Sequence, residues 1–112
     1  MTIYQEIFEV IKARKAAFAN GTAQDNSYTC YLFEKGVDKI CKKVGEEASE
    51  TIIAAKNADN DELANEINDL LYHLMVLAAN QGLDWAEVER ILAERNQKMG
   101  NLKQFHQVDK NT

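Results

Sequence analysis

The sequence contains no proline, five glycines and two cysteines, and 8% of its 112 residues are aromatic. The absence of proline and the few glycines, with 46% apolar residues, favour a compact helical protein over a disordered one. Cys30 and Cys41 form no C-x-x-C pair and have no histidine at zinc-ligand spacing, which argues against a zinc site. Both read as reduced thiols of a core. No run of 18 apolar residues occurs, and no basic segment leads into an N-terminal apolar one, so neither a membrane span nor a secretory leader is expected. Basic residues are in deficit, 13 against 18 acidic ones, for a net charge of −5. That balance argues against nucleic acid and anionic membranes as partners, because both are bound through basic patches. It is compatible with a small phosphorylated ligand held through a metal ion. The length suits one cytoplasmic domain, 1–112, ending in a loose polar tail from about residue 101, with no room for a fused second enzyme. A core this small invites oligomerisation.

What is present is helical periodicity. Thr2 and Gln5 have the spacing of a capping box, and Ile3, Ile7, Val10, Ile11 and Phe18 mark a face of a helix running to about Ala19. Asn20-Gly21 ends it, the polar stretch 20–27 is a loop, and Ser27 caps a short helix, Tyr28 to Lys35, that stops at Gly36. Val37 to Lys56 follows as one helix, with an apolar stripe of Val37, Ile40, Cys41, Val44, Ala48, Ile52 and Ala55. A third long helix, Asp61 to Gln81, has Asp59 or Asn60 as its cap. From Leu70 to Ala79 it is apolar on both sides, which predicts cover from more than one direction and hence burial in a dimer core. Leu83, Asp84, Glu87 and Val88 have the pattern of a hydrophobic staple with a capping box, starting a last helix from Trp85 to about Met99. The expected fold is all-α, an antiparallel helix bundle completed by homodimerisation.

Two of these helices carry paired acids beside their apolar stripes. At about 100° per residue, Glu47 and Glu50 share one flank of their helix, and Glu66 and Asp69 share one flank of the next. Any one of them reads as an ordinary solvated carboxylate. Two i,i+3 pairs on matching flanks of neighbouring helices instead form the oxygen-rich set that holds Mg²⁺, with Mn²⁺ a possible substitute, together with substrate phosphates. Lys39 and Lys43 precede Glu47 on its side and suit phosphate oxygens; Lys42 and Lys56 are less well placed. Glu46 points further from the stripe. His73 and Asn80 follow Asp69 along the same flank as possible support behind the ligands. A ferritin-like di-iron site needs Glu-x-x-His motifs, and neither His73 nor His106 lies three residues after a glutamate.

GEEASE followed by EINDLLYH resembles the EExxE…ExxD pattern of the all-α nucleoside triphosphate pyrophosphatases, the superfamily that includes MazG. The longer runs SYTCYLFEKGVDKICKKVGEEASETIIAAK and ELANEINDLLYHLMVLAANQGLDWAEV resemble the phosphoribosyl-ATP pyrophosphohydrolase family, from about Ser27 to Arg95. That resemblance implies an intertwined all-α homodimer. It also implies magnesium-dependent hydrolysis of phosphoribosyl-ATP to phosphoribosyl-AMP and pyrophosphate in histidine biosynthesis. By position it implies Glu47, Glu50, Glu66 and Asp69 as metal ligands and Glu46, Glu47 and Glu50 as catalytic acids. Lys39, Lys42, Lys43 and Lys56 would bind phosphate. Asn68 departs from the pattern, where a small apolar residue is expected. Two other readings stand beside this one: a MazG-like pyrophosphatase of noncanonical or excess nucleotides, and a helical dimerisation module without activity.

Overall fold

A computed structural model describes residues 1–23 and 26–98. Among the described residues five helices follow one another: α1 (Ile3–Ala19), α2 (Tyr28–Lys35), α3 (Val37–Lys56), α4 (Asn60–Asn80) and α5 (Trp85–Gln97). The expected end of the last helix at Met99 and Gly100, the tail beyond it and His106 lie outside the described residues. Among the described residues no helix is long and apolar enough to cross a membrane.

The caps follow from side-chain chemistry. Thr2 and Gln5 form the reciprocal box, and Ser27 and Asp59 accept from the backbone N–H groups of Cys30 and Glu62, satisfying donors that a helix start leaves unpaired. At α5 the expected box does not close. Asp84 accepts from the Ala86 N–H, and the Glu87 carboxylate is drawn instead to Arg90, because an Arg one turn on offers it a charged partner. Gly36, at φ 90° and ψ −172°, is both the end of α2 and the start of α3. Only glycine adopts that conformation without strain, so the two helices abut with no loop between them.

Helices α1, α3 and α4 end in one motif, with the last two amides of the turn bonded back to carbonyls of the final turn. The residue in the left-handed conformation is Gly21 after α1 and Gly82 after α4, but Ala58 after α3, at φ 54°. An alanine side chain there works against its own backbone. Ala58→Gly is expected to raise stability by about 0.5–1 kcal/mol, the left-handed penalty less the extra freedom of an unfolded glycine. Thermal unfolding of the two proteins checks it, and a lower midpoint for the glycine variant refutes it.

Helices α3 and α4 make the most extensive contact in the chain, as an antiparallel hairpin closed by the short turn 57–59. The core lies at the other end of α4. Phe8 and Ile11 of α1, Leu32 and Phe33 of α2, Ile40 of α3 and Met75, Val76, Ala78 and Ala79 of α4 cluster there, with Trp85 packed against them. Phe8, which falls outside the face read for α1, is among the most buried side chains, while Ile3 and Val10 are exposed. The segment Leu70–Ala79 therefore finds part of its cover within its own chain, from α1, α2 and α3, with Trp85 at the margin. Leu70, Leu71, Tyr72, Leu74 and Leu77 of the same segment are only half-buried, and a single chain does not test the expectation that the segment is a dimer core. On α3 the buried residues are Ile40, Glu47 and Ala54, so the helix turns its acidic side inward. Cys41, Ile52 and Ala55 of the predicted stripe face out, and Ile52 is 63% exposed. Of the two thiols, both free, Cys30 is buried and Cys41 is not.

Candidate metal centre

The hairpin sets the two acidic flanks face to face. Glu47 of α3 is 6% exposed, an unusual depth for a carboxylate. One carboxylate oxygen each from Glu47, Glu66 and Asp69 lie within 4.8 Å of one another. Glu50, one turn after Glu47, reaches Glu66 from the same side. It lines a cleft of about 170 Å³ with Glu62, Glu66, Asn57 and Asp59. All four acids read as ligands are thus gathered at one place, with Glu62 as a fifth.

Two atoms in this cluster are anomalous. Glu47 Oε2 and Glu66 Oε2 are buried and have no hydrogen-bond partner. A buried carboxylate oxygen without a donor is costly, and a cation between the helices removes that cost. The donor set is entirely oxygen, which suits a hard divalent ion and not a thiolate-seeking one. The residues present fit such an ion.

Without the ion, protons take its place. Glu66 is pushed up to about 8, first by desolvation and then by the carboxyl groups of Glu62, Glu50 and Glu47 around it; two carboxylates meet at hydrogen-bond distance only when one carries a proton. The sign of the pH dependence follows. A carboxyl raised in the folded state binds a proton that the unfolded chain has lost, so its stabilisation is full below the unfolded value near 4.5 and is lost as pH rises through about 8. Metal-free protein is expected to melt at a lower temperature at pH 9 than at pH 6. A saturating divalent cation should restore more stability at pH 9, because it no longer displaces a proton. Melting curves at both pH values, with and without the cation, test this, and an equal gain at both rejects it.

On the α3 side of the cluster stands Lys43, with Nζ 3.2 Å from Glu46 Oε2 and 3.6 Å from Glu47 Oε1. Its hydrogen bond to Glu46 raises its affinity for the proton and holds the Glu46 carboxyl below the usual range. Glu46 faces Lys43 and, at 4.0 Å, Lys42, so the structure does not bring it to the other acids. Lys39, half-buried one turn before Lys43, lies on the same side. Lys56 is exposed and, nine residues after Glu47, on the opposite side of α3.

His73 is buried, and both ring nitrogens are engaged. Nδ1 is 2.7 Å from the Asp69 carbonyl oxygen, which can only accept, so Nδ1 carries the proton. Nε2 therefore accepts from the Tyr28 hydroxyl, also at 2.7 Å. The histidine is a tie between α2 and α4 behind Asp69, and its neighbour Tyr72 makes a second tie to Thr29. Asn80 lies about 16 Å along the axis from Asp69 and gives its amide to Gln81, away from the acids. Sequence reading missed Glu62 as a cluster member, and the Tyr28-Thr29 pair carries no independent signal in the sequence. The Tyr28 hydroxyl, raised chiefly by desolvation, feels Lys43 and Glu47, and no spacing in the sequence signals that. Glu62 had a signal, an i,i+4 relation to Glu66 on the acidic flank.

Fold and cluster together define a class: an all-helical protein whose central hairpin gathers carboxylates into a cluster with the geometry of a candidate metal site. The profile of the phosphoribosyl-ATP pyrophosphohydrolase family matches residues 4–96, and the chain belongs to that family. It is 50% identical to the phosphoribosyl-ATP pyrophosphatase of Lactiplantibacillus plantarum over 99 residues, which are 88% of this chain and 89% of that one. It is 46% identical to the Streptococcus sanguinis protein of the same name, over 96% of this chain and 95% of that one. Against the histidine biosynthesis bifunctional protein HisIE of Lactococcus lactis the identity is 57%, over 73% of this chain and 39% of the longer relative.

Proposed function

We propose that the chain hydrolyses the α–β phosphoanhydride of phosphoribosyl-ATP to phosphoribosyl-AMP and pyrophosphate, with Mg²⁺ held by Glu47, Glu50, Glu66 and Asp69. Mn²⁺ would serve as a substitute. Membership of the family supports the reaction and its place in histidine biosynthesis. The pair of buried oxygens without donors, Glu47 Oε2 and Glu66 Oε2, carries the metal reading. When bound, the ion supplies charge neutralisation for the triphosphate and makes water more acidic. The protein's own groups do the rest. Glu50, more exposed than Glu47 and on the cleft, is placed to take the proton of the attacking water. Lys43 is held in place by Glu46 and Glu47 and, with Lys39, stabilises charge on the departing pyrophosphate. Glu46 acts through Lys43 rather than on the substrate, and Lys42 and Lys56 stand outside this arrangement.

A second copy of the chain would cover the apolar face left open by Ile52 and Ile53 of α3 and Ile67 of α4. The reading implies a cytoplasmic homodimer with no nucleic-acid or membrane partner. The deciding experiment is a substrate panel. Phosphoribosyl-ATP is expected to be turned over with a kcat/KM at least about a hundredfold above that of ATP or dNTPs, a discrimination of about 2.7 kcal/mol. Equal efficiency on a plain dNTP would assign the chain to nucleotide housekeeping. No saturable cation binding would leave only a helical dimerisation module.

A further inference from the structure

Asp69 belongs to two places at once. Its carboxylate is part of the acidic cluster, and the residue also lines a separate cavity of about 570 Å³ between α1 and α4. Ile3, Tyr4 and Ile7 of α1 and Asn68, Tyr72 and Met75 of α4 complete that cavity. Its size is within the range of small-molecule sites, and its lining of two aromatic rings, aliphatic side chains and one amide is of the kind that grips a flat heterocycle. The amide is only half used. Asn68 Oδ1 accepts from the Tyr4 hydroxyl at 3.2 Å, and Nδ2 donates to the Ala64 carbonyl at 3.2 Å. An asparagine side chain has two acceptor lone pairs and two donor hydrogens. One of each is therefore left for a ligand, the combination that reads the N6 and N7 edge of adenine.

We infer that this α1–α4 cavity is the purine subsite, where Tyr4 and Tyr72 supply the aromatic lining and Asn68 reads the ring's N6/N7 edge. The inference rests on the hydrolase reading above. It places the base on the far side of Asp69 from Glu50 and Glu62, so that the triphosphate spans the acidic cluster between them. It also gives Asn68, the residue that departs from the family pattern, a role in specificity. Neither Asn68 nor Tyr4 is in the core, and both are partly or fully exposed.

The test compares wild type and Asn68→Ala on phosphoribosyl-ATP and on its 7-deaza analogue, which lacks the N7 acceptor. Asn68→Ala is expected to raise KM about tenfold on the natural substrate with kcat within twofold. On the 7-deaza substrate, which keeps N6 and which wild type itself binds more weakly, the variant should lose less than on the natural substrate, because only the N6 contact remains to be lost. Tyr4→Phe, which keeps the aromatic ring and removes only the hydroxyl bonded to Asn68, should leave KM nearly unchanged, whereas Tyr4→Ala should raise KM on both substrates. Inhibition by pyrophosphate should be the same for all four proteins, which separates a lost base contact from a disturbed fold or metal centre. Wild-type KM values for Asn68→Ala, or an equal loss on both substrates, overturn the subsite. Failure of the wild type to turn over phosphoribosyl-ATP at all overturns the hydrolase reading, and the subsite with it.

Discussion

Asp69→Asn is expected to lower turnover by more than about a hundredfold while making the metal-free protein more stable. The two effects have opposite signs because the same charge does two things. With a cation present, the Asp69 carboxylate supplies one of the oxygens that meet within 4.8 Å, and even groups standing behind a metal's ligands cost ten- to a hundredfold when removed. With no cation, it is one more negative charge beside Glu47, whose buried Oε2 already lacks a donor, and above about pH 8 beside the Glu66 carboxylate as well; like charges at this distance disfavour the folded state. The asparagine keeps the shape, and the backbone carbonyl of residue 69 keeps its bond from His73. Turnover at saturating Mg²⁺ and melting in a chelator are the two measurements. Near-normal turnover would remove Asp69 from the ligand set, and an unchanged melting point would mean the cluster is not under electrostatic strain.

Met75→Glu and Ile52→Glu are expected to fail in different ways. Met75 is 2% exposed and sits in the core formed by α1, α2, α3 and α4. A carboxylate there has no partner, and burying one costs several kcal/mol, a large part of what holds a domain of this size together. Helix content is expected to collapse at ordinary temperature. Ile52 is on the open face of α3, so Ile52→Glu should keep the helices and abolish self-association. Circular dichroism and sedimentation velocity separate the outcomes. A folded Met75→Glu variant that merely dissociates would assign the Leu70–Ala79 segment to an interface between chains. A wild-type protein that sediments as a 12.7 kDa species at micromolar concentration would mean the open face needs no partner.

Much of this architecture is legible in the sequence because it depends on local chemistry. Ser27, Gly36 and the turn at 57–59 mark helix ends whatever lies around them, and the i,i+3 spacing of Glu47 with Glu50 and of Glu66 with Asp69 fixes a shared flank. What periodicity cannot supply is the neighbour. The stripe from Val37 to Ala55 is apolar whether it faces α4 or solvent, and only packing shows that α3 turns Ile40, Glu47 and Ala54 inward. The two-sided apolar character of α4 is equally ambiguous, since a helix from the same chain or from a second copy meets the need equally well. Glu62 is hidden for a related reason. An acid in the first turn of a helix is already explained by the macrodipole, and that ready explanation masks the i,i+4 relation to Glu66 that puts it on the acidic flank.

The unequal burial of α4 along its length has a kinetic meaning. Its second half, from His73 to Ala79, is enclosed, whereas Glu62, Glu66 and Asp69 are on the half that is mostly open to solvent. Amide hydrogens of the enclosed half should exchange with solvent only through opening of the whole domain, and those of the first turns through cheap local fraying. The acidic cluster sits across that boundary, so an arriving cation would slow exchange in the first half of the helix and leave the second half as it was.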